Sequence, residues 1–234
     1  MITITEDIDL GGMRVRIDRP KEGTWPGILM YSDIFQITGA QIRMSRRFAG
    51  HGFFVATPEI WNRIEPPGTA IPFDDAGRTR GLANQKKTAV ADFDADARKV
   101  IDSLMPRTNG IFAVGFCIGG HLAFRAALQK EVKGTACFYP TGLHDGVLGK
   151  DKDAGTLARV SEIQGELLMV FGERDPHVPE DARKVIDDAL RNNRVTKRLF
   201  DAEHAFMRDE GPRYDAEATD AAFAEAIAFL RRLS

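Results

Sequence analysis

Cys117 has the sequence surroundings of a nucleophile. It follows a short apolar run suited to a buried strand and lies between Gly115 and Gly119, within FAVGFCIGGH at 112–121. The pattern G-x-nucleophile-x-G is typical of a sharp strand-to-helix turn, because small neighbours relieve crowding around a strained nucleophile. Such a turn also brings the thiol to a helix N-terminus, whose partial positive charge favours thiolate over thiol. Taken alone, the pattern fits a buried cysteine beside helix-packing glycines equally well.

An aspartate and a histidine, both later in the chain than Cys117, complete the pattern of a catalytic triad. A nucleophile on such a turn needs an acid and then a histidine further along the chain, since successive strand ends deliver them. Asp175 stands just past the apolar run ELLMVFG, and His204 follows the next strand, TKRLF. The alternatives are a helix-capping aspartate and a solvated loop histidine. His177 shares the loop of Asp175, so His204 is the better candidate for the base. Of the other histidines, His51 is predicted at a helix end, His121 on the helix after the cysteine, and His144 in a surface loop.

The spacing of apolar residues predicts the elements that position these groups. Alternating apolar residues on both sides of Gly11-Gly12 predict an opening antiparallel hairpin. Later apolar runs are continuous, which indicates strands buried on both faces of a mostly parallel sheet. These runs lie at 27–32, 53–58, 111–116, 135–140 and 166–172.

Helix-like segments alternate with these strands, and turn-rich segments interrupt them. The predicted helices are 38–50, 86–104, 119–130, 178–192 and 215–233. Segments 61–85 and 141–162 are rich in turn residues and are predicted to be surface loops. Alternating strands and helices predict a doubly wound α/β fold with helices on both faces of the sheet, in one domain over residues 1–234.

Composition and charge exclude several classes of function. Apolar residues make up 43% of the chain and charged residues 28%, as in ordinary globular proteins. A formal net charge of -2 leaves no basic surplus, which argues against a nucleic-acid partner. No apolar run approaches the ~20 residues that cross a bilayer, which argues against a membrane protein. The first ten residues lack a signal-peptide pattern, so a cytoplasmic location with both cysteines as thiols is expected.

One acidic cluster imitates a metal site. Asp92, Asp94 and Asp96 resemble the start of a calcium-binding loop. Ala97 replaces the glycine needed at the sixth position of that loop, and Ser103 replaces the glutamate at the twelfth. The sequence therefore predicts no metal site.

Together, the motifs resemble the dienelactone hydrolase family, α/β-hydrolases whose nucleophile is cysteine where relatives carry serine. The resemblance spans nearly the whole chain. The segments that carry it are YSDIFQ at 31–36, PGTA at 67–70, GFCIGGHLAF at 115–124, GERDPHVP at 172–179 and EHAFMR at 203–208. It implies an α/β-hydrolase fold and a carboxylic ester hydrolase that needs no cofactor.

The resemblance also implies roles for individual residues. The triad would be Cys117, His204 and Asp175, and the backbone N–H groups of Ile34 and Ile118 would form the oxyanion hole.

Further roles concern the resting thiol and the substrate. Asp33 occupies the position of a carboxylate that gates the thiol in this family, where glutamate is usual. Arg208 matches one of two arginines that bind a substrate carboxylate, and the second maps to Arg78 or Arg80. The alternative for these arginines is a solvated surface charge.

The expected reaction is hydrolysis of a small carboxylated enol-lactone or ester, such as a dienelactone from aromatic breakdown, through an acyl-enzyme. The alternatives are a ligand-binding protein or a thiol sensor on a hydrolase scaffold. Fold and size predict a monomer.

Overall fold

A single eight-stranded sheet forms the centre of the computed structural model, which describes residues 1–151 and 153–234. The strands are β1 (Thr3–Asp9), β2 (Arg14–Pro20), β3 (Gly27–Tyr31), β4 (Phe54–Pro58), β5 (Ile111–Phe116), β6 (Val132–Phe138), β7 (Glu166–Gly172) and β8 (Val195–Phe200).

The sheet is mostly parallel and opens with the predicted hairpin. Strand order is β1-β2-β4-β3-β5-β6-β7-β8. β2 pairs antiparallel with both β1 and β4, and every other neighbouring pair is parallel. The reversal between β1 and β2 uses Gly11 and Gly12 at φ 70° and 90°, angles that a side chain disfavours. The predicted α/β-hydrolase architecture is therefore confirmed.

Helices cover both faces of the sheet. They are α1 (Gly39–Gly50), α2 (Asp75–Gln85), α3 (Val90–Leu104), α4 (Ile118–Ala126), α5 (Glu180–Ala189) and α6 (Ala216–Arg232). Apolar side chains of α1 and α6 pack in one core layer, and those of α3, α4 and α5 pack in the other. Within the described residues, no helix combines the length and the apolar character needed to cross a membrane.

Helix α2 replaces the second half of the loop predicted over 61–85. The Asp74 side chain caps the helix by accepting from the backbone N–H of Gly77 at 2.7 Å. Its buried positions are Gly77, Gly81 and Asn84, so the helix has no apolar stripe. A search for helical periodicity of apolar residues therefore does not recognise it. The neighbouring α3 begins at Val90, not at 86 as predicted, because residues 86–89 form the connection between the two helices.

Several other boundaries differ from the prediction by up to four residues. Helix α4 ends at Ala126, four residues before the predicted end. The loop predicted over 141–162 finishes in a short 3-10 helix, Leu157–Glu162, and its position 152 lies outside the described residues. Neither of the last two differences moves the carboxyl ends of the parallel strands, where functional groups of such sheets gather.

Candidate active site

The turn that carries Cys117 is strained and tightly packed. β5 ends immediately before Cys117 and α4 begins immediately after it, with Cys117 at φ 59° and ψ −123°. A residue with a side chain rarely adopts such a positive φ. A Cβ atom on Gly115 would overlap the carbonyl oxygen of Gly119, and one on Gly119 would overlap that of Ser32. Glycines at both positions let the helix approach closely enough to hold this turn.

Asp175 and His204 form a buried hydrogen-bonded pair. Asp175 follows β7 and His204 follows β8, and their Oδ2 and Nδ1 atoms lie 2.7 Å apart. The other oxygen, Oδ1, accepts from the backbone N–H groups of His177 at 2.7 Å and Val178 at 3.3 Å. Burial raises the pKa of Asp175, but the hydrogen bond and charge of His204 outweigh it and hold that pKa below its usual value. This carboxylate can therefore fix the orientation of the imidazole.

Cys117 and His204 perturb each other's protonation across one cleft. Both line a cleft of about 810 Å³. Burial raises the pKa of Cys117, but the nearby charge of His204 outweighs it, so the thiol pKa is lowered. Burial lowers the pKa of His204, but the Cys117 sulfur and Asp175 overcome it and raise that pKa to about 9. These two pKa shifts favour a thiolate and an imidazolium in the same cleft, a pair that can supply a nucleophile and a proton donor together.

The backbone N–H groups of Ile34 and Ile118 have no acceptor among the residues that the structure describes. Ile118 is the first residue of α4, so its N–H has no helical partner. The N–H of Ile34, in the loop after β3, donates to no group in the described part of the chain. The Ile34 carbonyl accepts from Trp61 Nε1 at 3.0 Å, which fixes the orientation of its loop. Both N–H groups can donate to an oxyanion.

Helix α2 packs against this loop through Gly81. A Cβ atom there would lie 2.6 Å from the carbonyl oxygen of Ile34 and 3.0 Å from its Cβ. We expect Gly81→Ala to push the loop away, lower the free energy of unfolding by about 1–3 kcal/mol and reduce ester hydrolysis. Chemical denaturation and kinetics measure the two effects.

Gly50→Ala is the matched control for that substitution. Gly50 is also helical, and no atom lies within 4 Å of the position its Cβ would take. It should leave activity unchanged, and an equal loss in the two variants would contradict the role assigned to the Gly81 contact.

Asp33 pairs with Arg208. Its Oδ2 accepts from Arg208 Nε at 2.9 Å and from Nη2, and its Oδ1 accepts from the backbone N–H of Phe35 at 2.8 Å. Among the described residues, the side-chain hydrogen bond of the Cys117 sulfur is with Thr141 Oγ1, at 3.7 Å. The gating role of Asp33 stays a prediction.

The side chain of Arg208 lines the cleft and is held there by several contacts. Its side chain is 9% exposed, and its guanidinium carbon lies 5.0 Å from the ring centroid of Phe35 and 4.4 Å from that of Phe73. Its Nη1 donates to no described residue, although the side chain lines the cleft. One edge of the guanidinium is thus occupied by Asp33 and the other is available to a ligand.

The two alternative loop arginines lie in different surroundings. Arg78 lines the cleft. Arg80 pairs with Glu65, with its Nε 2.8 Å from Oε1, and does not line the cleft. The structure therefore brings Arg78, not Arg80, to the site.

The sequence interpretation left three residues of the cleft out of its set of site residues, and of these it had not considered Thr141. Thr141, His177 and His144 all line the cleft. The ring centroid of His177 lies 4.7 Å from that of His204. Thr141 follows β6, which lies between β5 and β7, the strands that precede Cys117 and Asp175. This position after β6 was the sequence signal that could have identified Thr141.

The acidic residues that imitate a calcium loop lie on α3 and are paired with arginines. Asp94 binds Arg125, and Asp96 binds Arg63. In the described ranges, no three His, Cys, Asp or Glu side chains come together as metal ligands.

The sequence model of the dienelactone hydrolase family matches residues 13–234. A protein of Saccharomyces cerevisiae named "Putative carboxymethylenebutenolidase" is 35% identical over 224 residues, covering 88% of this chain and 82% of that protein. The carboxymethylenebutenolidase of Pseudomonas sp. strain P51 is 25% identical over 240 residues, covering 100% of this chain and 97% of that enzyme.

A solved structure shows the same fold. The crystal structure of a "Putative Dienelactone Hydrolase" from Klebsiella pneumoniae subsp. pneumoniae MGH 78578 superposes with a TM-score of 0.87 at 21% identity, covering 99% of this chain and 100% of that one. The extent of the family match and the identity to the yeast relative show that this chain belongs to the dienelactone hydrolase family and hydrolyses ester or lactone bonds.

Proposed function

We propose that this protein opens a small carboxylated enol-lactone or ester by attack of Cys117 and formation of an acyl-enzyme. The observation that carries the proposal is the position of the sulfur on its strained turn, in the same cleft as a histidine whose Nδ1 is held by buried Asp175. This is the order of groups that nucleophilic acyl transfer requires.

The first half-reaction uses the ion pair directly. The thiolate of Cys117 attacks the carbonyl carbon, and the oxyanion accepts from the N–H groups of Ile34 and Ile118. The bond to the leaving oxygen then breaks, and the imidazolium of His204 supplies its proton. The products are a thioester on Cys117 and a neutral His204.

The second half-reaction follows from the loss of charge on sulfur. The Cys117 sulfur is a main cause of the raised pKa of His204, and it carries no charge in the thioester. The pKa of His204 should therefore fall after acylation, which makes the imidazole a base. It removes a proton from water, the hydroxide attacks the thioester, and the carboxylic acid leaves as the thiolate and imidazolium return.

The choice of sulfur favours an activated substrate. Thiolate is a good leaving group, so the tetrahedral adduct of an ordinary alkyl ester tends to return to the starting ester. An enol ester or enol-lactone avoids this because its leaving oxygen departs as a stabilised enolate. We infer from this chemistry that the substrate has an enol or similarly stabilised leaving group.

A carboxylate on the substrate would have partners in the cleft. Arg208 has a free guanidinium edge, and Arg78 lines the same cleft. Guanidinium pairs well with planar anions. Because Asp33 already offsets part of the Arg208 charge, Arg78 is expected to contribute to carboxylate binding as well.

The proposal is tested by trapping the acyl-enzyme. Purified protein is mixed with a carboxylated enol-lactone, its methyl ester or a simple aryl ester, quenched in acid and digested for mass spectrometry. We expect an acyl adduct on the peptide that contains Cys117, and faster turnover of the carboxylated enol-lactone than of its methyl ester.

Two outcomes would contradict the proposal. An adduct on another residue would exclude Cys117 as nucleophile. Absence of both an acyl adduct and turnover with every substrate would favour the ligand-binding or thiol-sensor alternatives.

A further inference from the structure

The hydrogen-bond partner of the nucleophilic sulfur lies outside the triad. Thr141 Oγ1 is 3.7 Å from Cys117 Sγ, within reach of a hydrogen bond to sulfur. The backbone N–H of Thr141 also donates to the carbonyl oxygen of Cys117 at 3.2 Å. Thr141 therefore contacts both the side chain and the main chain of the strained turn.

We propose that Thr141 is a catalytic residue whose hydroxyl donates a hydrogen bond to the Cys117 thiolate and stabilises the resting nucleophile. The proposal rests on the proposed function, because it takes Cys117 as the nucleophile. No proton is transferred: the Oγ–H bond of Thr141 stays intact, and the thiolate accepts the hydrogen bond.

The charge state of the site sets the direction of this hydrogen bond. A thiolate has no proton to give, so the hydroxyl must be the donor. The hydrogen bond of Thr141 favours the charged sulfur and lowers the pKa of Cys117, whereas the negative charge of Asp33 raises it. The two residues therefore act on the thiol in opposite directions, and Asp33 is already engaged by Arg208 and the N–H of Phe35.

A buried network lies at a later part of the loop that follows β6 and contains Thr141. Thr156, further along the same loop, has its Oγ1 2.7 Å from Nε2 of His121 and accepts from Nη1 of Arg125 at 2.9 Å. Arg125 also donates to the carbonyl of Ala154 at 2.9 Å and binds Asp94. His121 and Arg125 both belong to α4, the helix that begins after the nucleophile.

The Thr156 hydroxyl joins two residues of this network. It accepts from Arg125 and lies within hydrogen-bond distance of Nε2 of His121. Burial, with the charge of Arg125, lowers the pKa of His121 to about 3, which keeps it neutral. Thr156 and His121 thus join a later part of the loop after β6 to the nucleophile's own helix, and we expect them to act on Thr141 only as positioning residues.

The test is the pH dependence of Cys117 alkylation. Iodoacetamide reacts with the thiolate, and mass spectrometry of the Cys117 peptide separates its reaction from that of Cys137. Cys137 is fully buried, and burial raises its pKa, so it serves as an unreactive internal reference. We expect Thr141→Val to move the alkylation midpoint up by about one pH unit, and Thr141→Ser to restore it.

Steady-state kinetics gives the second readout. Below the shifted midpoint, Thr141→Val should lose about tenfold in kcat/KM and recover it at higher pH. Thr156→Val should cause a smaller shift in the same direction. A structural defect would lower activity equally at every pH.

Asp33→Asn separates the two candidate partners of the sulfur. Removal of the Asp33 charge should leave the midpoint unchanged or lower it. The proposal is overturned if Thr141→Val keeps the wild-type midpoint, or if Asp33→Asn raises it. A wild-type midpoint at an ordinary thiol pKa near 8.5 would refute the resting thiolate and the role of Thr141 with it, whereas an acyl adduct on a residue other than Cys117 would refute the proposed function. A low wild-type midpoint unaffected by Thr141→Val would refute only the role of Thr141.

Discussion

Replacement of Cys117 by alanine should lower kcat/KM for every ester and lactone by at least about 1,000-fold. The substitution removes the nucleophile and also the charge that helps to raise the pKa of His204. Binding and the two N–H groups of Ile34 and Ile118 remain, so a small residual activity is expected. Steady-state kinetics on an aryl ester and acid quenching for the covalent adduct measure the effect.

Cys137→Ala is the matched control for this experiment. Cys137 lies in β6 and is fully buried away from the cleft, so its loss should cost stability but not the acyl adduct. If Cys117→Ala kept wild-type turnover, Cys117 would not be the nucleophile.

Cys117→Ser adds a chemical test at the same position. A serine alkoxide is a poorer leaving group than a thiolate, so its adducts with alkyl esters return to the starting ester less often. We therefore expect the serine variant to be slower overall and to show a smaller preference for enol and aryl esters over alkyl esters. An unchanged preference would contradict the account of substrate choice given above.

The positions of the three proposed triad residues were predictable because they depend on local pattern and on strand order. Cys117 is marked by glycines that permit its turn, and both Asp175 and His204 directly follow apolar strands. Parallel strands bring their carboxyl ends to one edge, so a residue just past a strand can be assigned to that edge from sequence.

Partners that are distant in sequence were not predictable in the same way. The pairing of Asp33 with Arg208 and that of Arg80 with Glu65 depend on how loops fold back over the sheet. Every arginine and carboxylate in those loops has a similar sequence signal. Only coordinates show which pairs form, and therefore that Arg78 lines the cleft and Arg80 does not.

Helix α2 shows a second limit of sequence patterns. Its buried positions are small or polar because the helix must approach the loop of Ile34 closely, as the contact at Gly81 shows. A helix that packs through small residues rather than through apolar side chains lacks the apolar periodicity by which helices are recognised in a sequence. The same close approach makes it important for the oxyanion loop.

Asp175→Asn should lower kcat/KM by about 1,000- to 10,000-fold. Oδ1 of Asp175 accepts hydrogen bonds from the backbone N–H groups of His177 and Val178. In the asparagine variant, the amide oxygen would therefore occupy the position of Oδ1. Its amide NH2 group would then face Nδ1 of His204, where the carboxylate now accepts. Two donors cannot share this contact, so Nδ1 would have to lose its proton and the imidazolium could not form.

The pH dependence of the Asp175→Asn variant distinguishes this cause from misfolding. Asp175 helps to raise the pKa of His204 to about 9, and that cation in turn lowers the pKa of Cys117. Without the imidazolium of His204, alkylation of Cys117 should require higher pH, because loss of this neighbouring positive charge raises the pKa of the thiol. Asp201→Asn, at an exposed ion pair with Arg174, is the matched control and should change neither rate nor midpoint. Activity of Asp175→Asn within about tenfold of wild type would show that the carboxylate does not set the state of the imidazole through Nδ1.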